Sequence, residues 1–131
     1  MAATELPVLQ RQRGVCCQLD SVLSPEHAET AATLLKVLAD PTRLSILATL
    51  RAAPGPVCIC DFTAAYQLGQ PTISHHMAKL KSAGLVVSEK RGIWIYYRLV
   101  GKLPPPIASL LEAALGCIPR SSGVDGNFRN A

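Results

Sequence analysis

Residues 57–99 read VCICDFTAAYQLGQPTISHHMAKLKSAGLVVSEKRGIWIYYRL, and this stretch decides the fold. Its first part predicts a short helix at about residues 60–66, followed by a glycine-containing turn and a longer helix at residues 70–83. Gly84 then acts as the C-terminal cap of the longer helix. The last part is rich in β-branched and aromatic residues on both sides of the basic segment 90–92, which predicts a β-hairpin with a basic tip.

Three further helices flank this stretch. Ser24-Pro25-Glu26 starts the first, because serine caps, proline suits the first helical position and glutamate favours the positive end of the helix dipole. Asp40-Pro41 ends that helix and starts a second, and Pro104-Pro105-Pro106 opens a last helix with an apolar stripe. The predicted fold class is α+β, a winged helix-turn-helix that is mostly helical and carries a two-stranded β-hairpin wing.

The length and composition indicate one folded domain with loose ends. The chain has 131 residues, of which 49% are hydrophobic and 17% charged. Residues 1–23 carry few periodic apolar positions and are interpreted as a flexible arm, and the polar residues 118–131 as a disordered tail. The winged-helix domain is therefore assigned to residues 24–117.

Several classes of protein are excluded. No apolar run reaches the roughly 18–20 residues of a membrane helix, and the N-terminus lacks the apolar core of a signal peptide, so a cytoplasmic protein without a membrane role is expected. No Ser-His-Asp set, carboxylate pair or phosphate-binding loop is visible, so we do not expect an enzyme.

The positive charge is concentrated in residues 70–102, which hold six lysines and arginines against Glu89 alone. In a helix-turn-helix the second helix enters the major groove of double-stranded DNA, and basic side chains meet the phosphates. The predicted DNA contacts are Gln70, Thr72, Ser74, His75, His76, Lys79, Lys90 and Arg91. The alternative is a solvated polar face, but such faces normally mix both signs of charge, and residues 70–88 contain no acid.

Four of the five cysteines form two tight pairs, Cys16-Cys17 and Cys58-Ile59-Cys60, and the fifth is Cys117. An odd count without an export signal argues against a disulfide framework, and close thiols suit a soft metal. A helix N-terminus is expected to lower the pKa of a cysteine. Since residues two apart point to opposite sides of a helix, Cys58 and Cys60 converge only if Cys58 lies before the regular helix. Cys117 is interpreted as structural or exposed.

Residues 57–99 and the segment LADPTRLSILATL at residues 38–50 together resemble the ArsR/SmtB family of metal-responsive winged-helix repressors. The combination of QPTISHH with the following KL and AGL is specific, and the resemblance extends over roughly residues 28–116. It implies a homodimer, joined through the first and last helices, that binds operator DNA without metal and releases it when metal binds.

The resemblance also implies a thiol site. Family members that sense arsenite or antimonite carry Cys-x-Cys at this helix start, where the present chain has CICDF. Thr63 stands where one branch of the family has a third cysteine, whereas another branch supplies vicinal cysteines from the arm, as Cys16-Cys17 would. The metal ligands implied are Cys16, Cys17, Cys58 and Cys60, shared between subunits.

Other functions remain open at this point. Four thiolates also suit cadmium, lead or zinc. The arm cysteines could instead form a disulfide with Cys58 or Cys60 in a redox-sensing regulator, or the protein could sequester metal without a DNA role. Cys16-Cys17 could also be an incidental pair in the arm.

Overall fold

The computed structural model of the chain describes residues 13–14 and 19–116. Within these residues the elements are α1 (Pro25–Leu38), α2 (Pro41–Ala52), β1 (Val57–Cys58), α3 (Ile59–Tyr66), α4 (Gln70–Ser82), β2 (Val86–Arg91), β3 (Trp94–Leu99) and α5 (Pro105–Gly116). This order confirms the predicted winged helix-turn-helix, with α3 and α4 as the helix pair and β2–β3 as the wing. The predicted disordered tail, residues 118–131, and most of the predicted arm lie outside the described residues.

Capping side chains hold the first two helices at their predicted starts. Ser24 Oγ accepts a hydrogen bond from the backbone N–H of His27 at 3.2 Å, and Asp40 Oδ1 accepts one from that of Arg43 at 2.9 Å. A proline follows each cap, where its missing N–H costs nothing. These contacts satisfy backbone donors that a helix start leaves unpaired, and they fix the junction between α1 and α2.

The turn between α3 and α4 is tight. Gln67 adopts a left-handed conformation with φ +53° and ends α3 without a glycine.

Helix α4 ends at Ser82, one residue earlier than predicted, and Gly84 follows with φ +75°, a conformation that favours glycine. Gly84 therefore turns the chain from the helix pair into the wing, as the sequence predicted.

The sheet has one strand more than predicted. Its order is β1-β3-β2, with both pairings antiparallel, and Cys58 pairs with Tyr96 of the wing. The prediction of a two-stranded hairpin missed β1 because two residues cannot display an alternating pattern. At the wing tip Gly92 has φ +63° at the first position of a two-residue connection, as a type II′ turn requires.

The core lies between α2, α3, α4 and the sheet. The most deeply buried side chains are Ile46, Leu47, Phe62, Ile73, Met77, Leu80, Leu85 and Val86. Helices α1 and α5 each bury one residue, Leu38 and Leu111 respectively. Most of the surface of these two helices therefore remains accessible. Among the described residues no helix is long and apolar enough to cross a membrane.

Candidate functional site

Helix α4 presents a polar face to solvent on a firmly seated apolar base. Ile73, Met77 and Leu80 are fully buried and fix the rotation of the helix about its axis. The predicted DNA contacts at the accessible face are Gln70, Thr72, His75 and Lys79, which are exposed, and Ser74, which is half-buried. The side chains of α4 that the sequence assigned to DNA are thus at least partly accessible, with the exception of His76.

His76 lies elsewhere, and its prediction as a DNA contact needs correction. The residue is only 7% exposed, and its Nδ1 lies 3.4 Å from Nη1 of Arg43 and 3.9 Å from Oδ1 of Asp40. Its ring therefore packs against the start of α2 and is not available to a groove. The helical spacing of Ile73, His76 and Met77 matches a buried stripe, a signal that could have revealed this burial from the sequence.

The wing carries the second basic surface. Lys90 and Arg91 are both exposed next to the tip. The Arg91 guanidinium lies 4.9 Å from the ring centroid of Tyr96 and donates a hydrogen bond to Glu89 Oε2 at 3.1 Å. The same hydrogen bond lowers the pKa of the Glu89 carboxyl and is the largest cause of that shift. Arg91 is thus oriented before any phosphate arrives, with Glu89 as an internal competitor.

One side-chain contact that the sequence did not reveal ties α4 to the wing. Lys81 Nζ donates a hydrogen bond to Ser88 Oγ at 2.8 Å. The contact joins the last turn of α4 to the middle of β2, so it links the two elements that would touch DNA.

The two described cysteines converge at the start of α3. Cys58 ends β1 and stands at the N-cap of α3 with extended backbone angles, so it meets the condition for convergence with Cys60. Cys60 Sγ donates to Cys58 Sγ at 2.9 Å. Cys58 is buried, whereas Cys60 is exposed and can be reached from solvent.

The proximity of the two sulfurs affects the protonation of Cys60. The hydrogen bond to Cys58 is the largest cause that raises the pKa of Cys60, followed by burial and by the negative charges of Cys58 and Asp61. The expected lowering by the helix N-terminus is therefore outweighed at Cys60. Cys60 therefore holds its proton more firmly than an isolated cysteine does.

Two thiols fit a soft ion but do not complete a three-ligand site. Among the described residues, Cys58 and Cys60 belong to no group of three or more His, Cys, Asp or Glu side chains that could hold a metal ion. Thr63, at the position of a third cysteine in one branch of the family, donates its hydroxyl to the backbone oxygen of Cys60 at 2.8 Å. The predicted ligands Cys16 and Cys17 lie outside the described residues, as does Cys117.

Comparisons with known proteins give a consistent result. Residues 40–88 match the sequence profile of a family described as bacterial regulatory protein, arsR family. The chain is 40% identical over 84 residues to the arsenical resistance operon repressor of Escherichia coli K12, an alignment that covers 64% of this chain and 71% of that repressor.

Two solved structures are similar as well. NolR from Sinorhizobium fredii matches with a TM-score of 0.59 at 30% identity, over 72% of this chain and 92% of NolR. The homodimeric winged helix-turn-helix DNA-binding domain of Mb0332 from Mycobacterium bovis, described as a possible ArsR-family transcriptional regulator, matches with a TM-score of 0.57 at 29% identity. That match covers 74% of this chain and 85% of the domain.

Proposed function

Because the chain belongs to the ArsR family of bacterial regulatory proteins, we propose that it is a homodimeric repressor that leaves its operator when arsenite or antimonite binds its thiolates. The family is one of DNA-binding transcriptional regulators and not a class of enzymes. The name of the Escherichia coli relative supports an arsenic-related signal, and the homodimeric Mb0332 domain supports a dimer.

The observation that carries the proposal is the thiol pair. Its sulfurs lie 2.9 Å apart, one of them exposed, at the point where β1 passes into α3. Trivalent arsenic and antimony are soft ions that prefer thiolate ligands. Cys58 and Cys60 supply two such ligands, and we propose Cys16 or Cys17 of the partner subunit's arm for the third.

The position of the pair supports control of DNA binding. Cys58 pairs with Tyr96 in the sheet, and the Tyr96 ring lies beneath the guanidinium of Arg91. Cys60 lies in the first turn of α3, which packs against α4. A rearrangement of the two cysteines therefore reaches both the wing and the helix that reads DNA. Release requires that the rearranged form bind DNA less tightly, because only differential affinity shifts the equilibrium.

The test measures operator binding by fluorescence anisotropy, with a duplex selected from a random pool by the reduced wild-type protein. Cys60→Ser is the principal variant because Cys60 is exposed and its replacement spares the core. We expect Cys60→Ser and Cys58→Ser to bind the duplex and to remain bound when arsenite is added. The Cys16→Ser/Cys17→Ser double variant should behave likewise, and Cys117→Ser is the matched control that should release normally.

Two outcomes would redirect the proposal. Release of the Cys58 and Cys60 variants by arsenite would remove the thiol pair from the mechanism. Release of the arm double variant would leave a two-sulfur site. Cadmium, lead and zinc are tested in the same assay, because four thiolates suit them also.

A redox-sensing regulator is the second candidate, and the short distance between an exposed and a buried thiol favours it. In that case two thiols are oxidised to one disulfide while peroxide is reduced to water. Release by peroxide together with no response to arsenite under reducing conditions would favour this alternative.

A further inference from the structure

Arg43 joins the end of α1 to the start of α2. Its Nε donates to the backbone oxygen of Val37 at 2.6 Å, and its Nη2 donates to that of Lys36 at 3.3 Å. Both oxygens belong to the last turn of α1, where carbonyls lack partners within the helix. The backbone N–H of Arg43 is itself held by Asp40. The guanidinium is therefore held by α1, and the backbone of the same residue by Asp40.

The remaining nitrogen of the guanidinium, Nη1, reaches α4. Nη1 of Arg43 lies 3.4 Å from Nδ1 of His76. A guanidinium has only donors, so Nδ1 of His76 has to be the acceptor, and the proton of the neutral ring then sits on Nε2. Asp40 Oδ1, at 3.9 Å from the same nitrogen, is too far away for a hydrogen bond.

We propose that His76 is a positioning residue that, as a neutral ring accepting from Arg43, holds α4 in the orientation that DNA binding requires. The inference rests on the proposed role of α4 in binding DNA, and it adds a residue that touches no DNA. Through Arg43 it connects α4 to α1, a helix proposed for the dimer interface. The spacing of two recognition helices in a dimer depends on such a connection, since half-site spacing is geometric.

Burial lowers the pKa of His76 and is the largest cause of the shift. Asp40 opposes this effect, whereas Arg43 and the neighbouring His75 add to it. Within residues 19–116, these three are the titratable or charged groups that act on the ring. Because the folded pKa lies below the ordinary value, the fold favours neutral His76. Acidification through the lowered pKa protonates Nδ1, removes the acceptor and sets two cations against each other.

The sign of the pH effect distinguishes His76 from its neighbour. His75 is exposed on the face assigned to DNA, where any added positive charge would strengthen binding. Protonation of His76 weakens binding, because it releases α4 from Arg43. The two effects oppose each other in the wild type, so the experiment is done in the His75→Gln background.

The experiment compares H75Q with H75Q/H76Q and H75Q/H76L, using anisotropy of the selected duplex from about pH 8 to about pH 5 at constant ionic strength. H75Q should lose about tenfold in affinity on acidification, the size expected for one hydrogen bond to a charged group. H75Q/H76Q keeps a neutral acceptor and should show no such loss. H75Q/H76L lacks the acceptor and should bind about tenfold more weakly at every pH.

A second measurement does not depend on DNA or on variants. The ¹⁵N shifts of the imidazole in the wild-type protein at neutral pH should show an unprotonated Nδ1 and a protonated Nε2. A protonated Nδ1, or the same acid-dependent loss in H75Q and H75Q/H76Q, would overturn the proposal. Wild-type protein that selects no duplex would instead overturn the proposed function, and the nitrogen shifts would still test the contact with Arg43.

Discussion

Replacement of Arg91 by alanine tests the proposed DNA interface through salt. The predicted phosphate contacts of one protomer are Lys79, Lys90 and Arg91, so a homodimer makes six. Each contact contributes about −0.9 to the slope of log affinity against log salt, which gives a slope of roughly −5 for the wild type. Arg91→Ala removes two contacts per dimer and should make the slope shallower by about 1.8.

The difference is large enough to measure by anisotropy titration. A fourfold rise in salt should lower the affinity of the wild type by about 10³ and that of Arg91→Ala by about 10². Lys102→Ala is the matched control, because Lys102 is exposed between β3 and α5 and outside the predicted contacts. Glu89→Gln removes the internal competitor of Arg91 and should raise affinity. A slope for Arg91→Ala equal to that of the wild type would show that Arg91 meets no phosphate.

Three further outcomes are expected. Ser74→Ala should weaken operator binding by about 1–3 kcal/mol and random DNA less, in parallel binding assays, because a base-edge contact carries specificity; equal losses would assign Ser74 to the backbone. Trp94, the chain's only tryptophan, is 49% exposed beside the wing tip, so its fluorescence should change when the duplex binds, and an unchanged spectrum would argue against wing contact. Cys58→Ala should speed alkylation of Cys60 by iodoacetamide near neutral pH, because it removes the hydrogen-bond acceptor that is the main cause of the raised pKa of Cys60; an unchanged or slower rate would contradict that cause.

The sequence predicted those parts of the fold that rest on local chemistry. Ser24 and Asp40 cap helices because their oxygens accept backbone hydrogen bonds nearby, and Gly84 turns the chain because it tolerates a positive φ. Such effects act over a few neighbouring residues and can therefore be predicted from the sequence alone. The strand β1 was not predicted, because its two residues carry no strand pattern of their own. They form a strand only because they pair with β3, which is distant in the sequence.

The candidate site was predictable in its residue types and less so in its contacts. Cys58 and Cys60 converge because Cys58 has extended backbone angles at the N-cap of α3. From the sequence, this backbone conformation could be named only as a requirement for convergence and could not be predicted. His76 was assigned to the polar face because histidine is polar, although a hydrogen-bond partner 33 positions earlier makes its burial tolerable. The role of Arg43 depends on three helices meeting, which no local pattern encodes.

The accessible surfaces of α1 and α5 have a consequence for how much of this protein is folded at a given concentration. Each helix contributes a single buried residue within the described chain, Leu38 and Leu111. If a second copy of the chain covers these surfaces, dimerisation stabilises the folded state, so folding and association are thermodynamically coupled. The melting temperature then rises with protein concentration, and dilution depletes the folded population along with the dimer. The amount of protein in the cell would then affect repression in two ways. It would determine the fraction of chains that are dimeric, and it would determine the fraction that are folded.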